Sequence, residues 1–394
     1  TELVTLNSMT PLWKKNKNEL TDDDYNNFYK DKFNDYSNPL HHALVHNEGT
    51  VTYDALLYIP ERAPFNYYSK EYEKGLQLYS KGVLIMDKCA ELLPDYFSFV
   101  KGLVDSEDLS LNISRETLQH DGQLKLIAKT LEKKIKSELE KMLKDEREAY
   151  EEFFKAFGIQ LKFGIYNDYG AHKETLRDLL IFRSSNEKKY VTLKEYVSRM
   201  KEGQDSIYYA CGETDEKIDM LPQTDAVKDK GYEILYLTEN VDEFALKMLA
   251  EYDGKKFVNI CDNDLNLDSE DEKKALEEEN TAAKDMFEAM KESIGDKINA
   301  VRFTNKLKDH PVCLTSEGGI SLEMEKVLNS MPGAEQNKVK AQLVLEINAN
   351  HPIAEKLKTL YTEDKDTLGK YAKLLYGEAC LIGGKSVPDP AEHS

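Results

Sequence analysis

The sequence predicts a multidomain protein of mixed α/β structure, α+β overall. Its 394 residues exceed the size of one ordinary hydrophobic core, so two to four domains are expected. β-rich apolar runs alternate with amphipathic helical stretches along most of the chain, which indicates sheets covered by helices. A charged stretch at 262–284 nearly lacks large apolar residues and marks the clearest boundary.

The composition narrows the class of protein. Hydrophobic residues make up 40% of the chain and charged residues 32%, and no apolar run approaches the length of a membrane span. The net charge of −20 argues against nucleic acid or an anionic membrane as the main partner. The five cysteines are far apart and form no CxxC pair, so a reducing cytoplasm is the simplest location. The chain begins without methionine, as expected of a piece of a longer protein.

The first 125 residues predict a sheet with helices on its faces. Thr21 and the three aspartates after it are typical of a helix start, and β-rich runs follow at Val51–Pro60 and Leu76–Asp87. We interpret Trp13, the single tryptophan, as a core anchor, with an exposed aromatic contact as the alternative. The run HHALVH at His41–His46 has neither a nearby cysteine nor HExxH spacing, so it is a weak basis for a metal site.

One basic side chain stands out at the predicted start of a long amphipathic helix. Apolar residues recur every three or four positions through 124–143, and Asn112 and Ser114 are of the type that caps such a helix. Arg115 would then lie beside unpaired backbone N–H groups, where anions are favoured. The alternative is that Arg115 pairs with Glu116, or with the preceding acidic DSED run, as ordinary surface structure.

A shorter helix is predicted to end at Gly158, and smaller elements follow. Helices are predicted at 174–182 and 192–200, and strands are predicted at 206–210, 233–237 and 256–260. This alternation predicts a small α/β unit with a largely parallel sheet. Because no GxGxxG follows any strand, a dinucleotide-binding fold is not supported.

Beyond the charged boundary, the pattern predicts helices at 286–298 and 370–380 and strands at 300–305 and 343–347. Between the two strands, a glycine pair precedes an amphipathic stretch with its apolar residues on one helical face: Ile320, Met324, Val327, Leu328 and Met331. This face is either part of a core or an exposed contact surface. Flexible methionines would suit adaptable contacts in the second case.

Motifs of stand-alone catalysis are missing from the sequence. It contains no GxxxxGK[ST] loop, no GxSxG elbow and no HExxH pair. The carboxylates lie in mixed-charge runs, so no pair can be nominated for acid–base chemistry. The residues by themselves therefore indicate a multidomain interaction protein, with one arginine that can reach an anion.

Five stretches of the sequence resemble the heat-shock protein 90 chaperones, particularly their bacterial members. They read WKKN at 13–16, NPL…NEG at 38–49, LLYIPERAPF at 56–65, FVKGLVDSEDLSLNISRETLQ at 99–119 and YVSRMKEGQDSIYY at 196–209. The resemblance covers essentially the whole chain, but only the middle and C-terminal domains of that family. It implies two α/β/α sandwich subdomains joined by a helical segment, then a mixed α+β C-terminal dimerisation domain. The expected ranges are 1–125, 126–160, 161–265 and 266–394, the last truncated at its end.

The resemblance also implies a function. It predicts a cytoplasmic, homodimeric, ATP-dependent chaperone that clamps partly folded client proteins and uses neither nucleic acid nor membrane as a partner. ATP and Mg²⁺ would be bound by an N-terminal domain that this chain lacks, so the fragment would hold no cofactor and would not hydrolyse ATP alone. Arg115 would reach the γ-phosphate, and Asn112 and Gln119 would help to place its loop. The implied client contacts are Glu243, Phe244, Met324, Val327, Leu328 and Met331.

Departures from the family keep two other hypotheses in view. Phe244 stands where some relatives carry tryptophan. Family chains continue past Ser394 into a helix that completes the dimer interface. The MEEVD sequence that ends the cytosolic eukaryotic members is missing, and its absence favours a bacterial source. One alternative is a scaffold or adaptor protein that never couples to nucleotide. A stand-alone hydrolase is disfavoured by the missing motifs.

Overall fold

The computed structural model describes residues 10–109, 114–118, 121–263 and 265–385. The chain forms two compact units, Thr1–Leu180 and Ile181–Ser394. The described residues contain three β-sheets, with five, six and three strands. The mixed α and β structure expected from the sequence is therefore confirmed, while the four predicted domain ranges remain predictions.

The first unit contains a five-stranded sheet with the strand order β1-β2-β5-β3-β4. Its elements are α1 (Asp22–Phe33), β1 (His41–Asn47), β2 (Tyr53–Ile59), β3 (Leu76–Ser80), β4 (Val83–Cys89), β5 (Lys101–Asp105), α2 (Arg115–Leu118), α3 (Gly122–Asp145), α4 (Arg147–Tyr166) and α5 (Lys173–Leu176). The β-rich run predicted at Leu76–Asp87 forms two strands of a hairpin, because Lys81 and Gly82 both adopt positive φ and reverse the chain.

Alternating side chains bury both faces of this sheet, since neighbouring residues of a strand point to opposite sides. One face packs against α1 in a cluster that includes Trp13, Tyr25, Tyr29, Leu44, Leu56, Tyr58, Tyr79 and Leu103. The other face meets α3 around a small cavity lined by His41, Ala43, Leu57, Ile59, Val100, Ile135 and Glu138. Helices on both faces are the arrangement predicted for this part of the chain. Trp13 is a core residue, 7% exposed, as the favoured interpretation of the sequence had it.

Two predicted boundaries of the long helices α3 and α4 are wrong. The long helix α3 begins at Gly122, well after Ser114, because the Asp121 carboxylate accepts hydrogen bonds from the first free backbone N–H groups, at 2.8 and 3.0 Å. The helix predicted to end at Gly158 continues to Tyr166. Gly158 is a packing position rather than a helix end, because a Cβ atom there would lie 2.7 Å from the ring of Phe154.

The second unit begins with a six-stranded sheet in the order β10-β11-β8-β9-β6-β7. Its elements are β6 (Ile181–Ser184), β7 (Tyr190–Thr192), α6 (Leu193–Ser198), β8 (Ser206–Cys211), α7 (Asp215–Asp219), α8 (Thr224–Asp229), β9 (Ile234–Leu237), α9 (Asp242–Leu249), β10 (Glu251–Tyr252) and β11 (Lys255–Asn259).

The largely parallel sheet predicted for this region is wrong. Only β11–β8 and β8–β9 are parallel, and the other three pairs are antiparallel. The short connections between β6 and β7 and between β10 and β11 allow only antiparallel pairing, because a parallel pair needs a long crossover. The helix predicted through Phe182 ends earlier, and Phe182 lies in β6.

The same unit also contains a three-stranded sheet in the order β12-β14-β13. The remaining elements are α10 (Glu270–Ala282), α11 (Lys284–Ile294), β12 (Ala300–Thr304), β13 (Val312–Glu317), α12 (Leu322–Ser330), β14 (Gln342–Asn348), α13 (Pro352–Glu363) and α14 (Lys365–Ile382). Helices α11, α13 and α14 share one hydrophobic core with the sheet. Helix α10 has no buried residue, which fits the exposed, charged stretch predicted at the boundary.

The histidines of β1 bind separate carboxylates. His41 contacts Glu138 at 2.6 Å, and His42 and His46 each contact a different aspartate. Across the described part of the chain, no three His, Cys, Asp or Glu side chains are grouped as metal ligands. No helix in the ranges given above combines the length and the apolar character needed to cross a membrane.

Candidate functional site

The two segments implied in client contact meet in the second unit. Glu243 and Phe244 lie on α9, and Ser321 is the residue that caps α12. The Ser321 hydroxyl donates a hydrogen bond to the Glu243 carboxylate, and the Lys247 ammonium donates to the Gly319 carbonyl. Two segments that are 78 residues apart in the sequence therefore form one composite site.

Glu243 lies inside this site rather than on its surface. Its side chain is 3% exposed. Besides the bond from Ser321, its Oε2 accepts hydrogen bonds from the Tyr209 hydroxyl at 2.6 Å and from Asn259 Nδ2 at 2.9 Å. Burial, together with the negative charge of Glu243, raises the pKa of Tyr209, so the tyrosine hydroxyl stays protonated as a donor. Sequence reasoning identified Glu243 but missed Tyr209, Asn259 and Ser321, whose positions only the fold brings together.

The apolar face of α12 divides into buried and exposed parts. Met324 is 4% exposed and is the only residue of α12 that is fully buried. Val327 and Leu328 are half-buried, and Met331, just after the helix, is 54% exposed. Phe244 on α9 is also half-buried. The two interpretations of the methionine-rich face therefore apply to different residues: Met324 is core, whereas Met331 is surface.

The space around α12 is incompletely filled. A cavity of about 50 Å³ lies against the start of the helix, with Leu322, Glu323 and Lys326 among its lining residues. Gln223 also lines it, and its buried Oε1 atom has no hydrogen-bond partner among the described protein atoms. Partial burial raises the pKa of Glu323, against the opposing charge of Lys326. The first turn of the helix is therefore incompletely packed.

A groove of about 270 Å³ opens beside the buried carboxylate. Its walls come from α9, β11 and the glycine-containing segment before α12, and include Lys247, Phe257, Val258, Gly318 and Gly319. Phe257 and Val258 are half-buried, so the groove offers apolar surface next to a cation. A surface of this kind can accept an extended, mixed polar and apolar segment of another chain.

The described residues include only part of the loop that is predicted to reach the γ-phosphate. Asn112 and Gln119 lie outside the described residues, and so does the side chain of Arg115. The described backbone makes Arg115 the first residue of the four-residue helix α2. Ser114 and Thr117 hold this turn, with a 3.0 Å hydrogen bond from the Ser114 N–H to the Thr117 hydroxyl.

The strand that leads to this loop is held firmly at its end. The Ser106 N–H donates to the Tyr79 carbonyl at 3.1 Å, and the Ser106 hydroxyl donates to the Thr52 carbonyl at 2.8 Å. The buried Ser80 hydroxyl donates to the Leu109 carbonyl at 2.7 Å. These bonds fix the last described residues before the loop, and no motif in the sequence pointed to them.

Fold and site together define a multidomain α+β protein in which an amphipathic helix lies beside a buried polar cluster. Comparison with known proteins shows that the chain belongs to the Hsp90 family, whose model, described as Hsp90 protein, matches residues 1–394. Chaperone protein HtpG of Bacillus subtilis (strain 168) is 58% identical over 391 residues, which cover 99% of this chain and 62% of that protein.

Other relatives give the same result. Chaperone protein HtpG of Clostridium perfringens (strain 13 / Type A) is 58% identical over 391 residues, covering 99% of this chain and 62% of that protein. The protein of the same name from Alkaliphilus oremlandii (strain OhILAs) is 56% identical over 393 residues, covering 100% of this chain and 62% of that protein. The chain therefore spans 62% of the length of the curated relatives that it matches.

Proposed function

We propose that this chain is the client-binding and dimerising part of an ATP-dependent chaperone of the cytoplasm. The observation that carries the proposal is the meeting of α9 and α12 in one site, in a chain that belongs to the Hsp90 family. Phe244, Val327, Leu328 and Met331 contact partly folded proteins, and Met324 supports them from the core. Exposed apolar surface bordered by charge suits clients that themselves expose apolar segments.

The nucleotide side of the proposal concerns Arg115. ATP and Mg²⁺ bind to a domain outside this chain, and Arg115 places a positive charge where negative charge develops on the γ-phosphate during hydrolysis. Asn112 and Gln119 support its loop. The hydrogen bonds of Ser106 and Leu109 support this role, because a strand end that is fixed in place delivers the following loop reproducibly.

The test uses the chain as it stands and the chain joined to its ATP-binding domain. We expect the chain alone to bind a reduced, partly unfolded model protein, to ignore the native form of that protein, and to hydrolyse no ATP. The joined protein should hydrolyse ATP and form homodimers. Equal binding of native and unfolded forms would contradict client recognition.

A nucleotide-independent scaffold is the rival function. It predicts that the natural reading frame encodes no ATP-binding module ahead of Thr1 and that ATP leaves partner binding unchanged in the full protein. Inspection of that reading frame separates the two functions directly.

A further inference from the structure

We propose that Glu243 is a positioning residue: its buried carboxylate fixes α12 against α9, and so holds the client-contact residues of both helices in one surface. This inference rests on the proposed client-binding function and changes the role of Glu243 within it. The Glu243 side chain is 3% exposed, and three internal donors already occupy most of the acceptor positions of its carboxylate, so it presents little to a client.

The Ser321 hydroxyl makes this connection specific. Its oxygen accepts a 3.1 Å hydrogen bond from the Met324 N–H and thereby caps α12, while its hydrogen goes to Glu243. A hydroxyl has a single hydrogen to donate. The capping geometry and the bond to α9 are therefore set by the same atom, and the first turn of α12 is oriented by the carboxylate.

The far end of α12 is held by two 2.9 Å hydrogen bonds between the Asn329 side chain and the Val339 backbone, but its first turn has few other attachments. Met324 is the only fully buried residue of the helix, and the cavity beside its first turn leaves part of that surface without packing partners. Gly318, with φ of +80°, and Gly319 lead into the helix and supply little rigidity. The bond from Lys247 to the Gly319 carbonyl is the second connection to α9. Loss of the Glu243 contact should therefore loosen the first turn of α12 more than it loosens β8 and β11, which the sheet hydrogen bonds keep in place.

The experiment measures amide hydrogen exchange of residues 322–330 and the affinity for a reduced, partly unfolded model protein. Glu243→Ala and Ser321→Ala should each lower the protection of α12 at least about tenfold, the factor expected for a lost hydrogen bond to a charged group. The loss in the double variant should be smaller than the sum of the two single losses, because the bond between Ser321 and Glu243 is removed by both changes. Client affinity should fall in the same variants.

Two further variants separate positioning from contact. Glu243→Gln keeps an acceptor oxygen for Ser321, and the Tyr209 hydroxyl can turn to accept from the amide, although the bond from Asn259 is lost. Protection of α12 and client affinity should therefore both fall less than in Glu243→Ala. Glu251→Ala removes an exposed glutamate from the neighbouring strand β10 and should change neither.

Two results would contradict the positioning role of Glu243, and a third would contradict the proposed client-binding function. If Glu243→Ala and Glu243→Gln both weaken client binding while α12 exchange stays unchanged, Glu243 is a contact residue and the proposal is wrong. If exchange rises equally in β8, β11 and α12, Glu243 is a general core residue and the proposal is equally wrong. If the unaltered chain binds no client, the proposed function fails, yet the exchange data still decide whether Glu243 positions α12.

Discussion

The indole N–H of Trp13 donates a 3.0 Å hydrogen bond to the carboxylate of Asp105, 92 residues further along the chain. Asp105 is fully buried, and its charge is offset by Lys14 at 3.7 Å and by the Gly82 N–H at 3.4 Å. Because Asp105 ends β5, the contact joins the first described segment to the strand that leads toward Arg115.

Removal of the indole N–H should destabilise the first unit. Trp13→Phe keeps an aromatic ring near Tyr79 but leaves the buried carboxylate short of one donor, which costs about 1–3 kcal/mol. Urea unfolding followed by circular dichroism should show this loss. Tyr169→Phe, which removes a hydroxyl from a side chain that is 84% exposed, is the matched control and should stay within about 0.5 kcal/mol. Equal stability of Trp13→Phe and the unaltered chain would show that the hydrogen bond contributes nothing.

Arg115→Ala should cut ATP turnover in the protein that includes its ATP-binding domain. Loss of a charge aimed at the transferred phosphoryl group should slow hydrolysis at least about tenfold, equivalent to about 1.4 kcal/mol in the barrier. Nucleotide binding and thermal stability should change little, since Arg115 begins a short surface helix. Lys125→Ala, an exposed cation on α3, serves as the control and should hydrolyse ATP normally. Unchanged turnover in Arg115→Ala would remove the role proposed for this residue.

The two methionines of the proposed client site, Met324 and Met331, should behave differently when substituted. Met331→Ser should weaken binding of a partly unfolded protein and leave the free energy of unfolding within about 0.5 kcal/mol, because Met331 is 54% exposed. Met324→Ser should instead destabilise the fold by about 2–5 kcal/mol, since it removes a buried side chain. Leu328→Ser, at a half-buried position, should show part of each effect.

Binding titrations and urea unfolding of the same variants provide the comparison. Met220→Ser changes a methionine that is 73% exposed outside α12, and should alter neither property. Client binding that survives Met331→Ser but is lost in Met220→Ser would place the contact surface elsewhere.

Stability should depend on pH through Glu346. This residue lies on the central strand β14, is 4% exposed and is flanked by Arg302 and Cys313 on the neighbouring strands. Burial raises the pKa of Glu346 above its ordinary value of 4.5, although Lys306 and Arg302 oppose the shift. The folded state therefore holds this proton more tightly than the unfolded state. Its contribution to stability is complete below the unfolded pKa and is lost as the pH rises through the folded pKa.

Glu346→Gln removes this titration. We expect the variant to be more stable than the unaltered chain at neutral pH and to lose less stability as the pH rises from about 4 to about 8. Urea unfolding across that range measures both. Glu363→Gln, at an exposed position of α13, should follow the unaltered chain. If Glu346→Gln is less stable at every pH, the carboxylate is stabilised in its charged form and the direction given for its pKa is wrong.

Local sequence determined much of the secondary structure. Thr21 and the aspartates after it define the start of α1, where the structure shows a complete capping box between Thr21 and Asp24. The spacing of apolar residues from Leu124 to Leu143 predicted the buried face of α3. The structure buries Leu124, Ile127, Leu131, Ile135 and Leu139, whereas Leu143 is half-buried. These features depend on neighbours a few residues away, so they can be read directly from the chain.

Contacts that the sequence does not reveal decided the strand pairing, one helix end and the burial of Glu243. Strand pairing in the six-stranded sheet could not be read from alternating apolar runs, because parallel and antiparallel neighbours bury similar side chains. The sequence indicated a helix end at Gly158, but the structure shows that a glycine is needed there because a larger side chain would clash with the ring of Phe154. The sequence by itself predicted the apolar face of α12, and its resemblance to the Hsp90 family implied Glu243 as a client contact. Only the tertiary structure decided that Glu243 is buried and bonded to the cap of α12, because burial depends on partners far away in the chain.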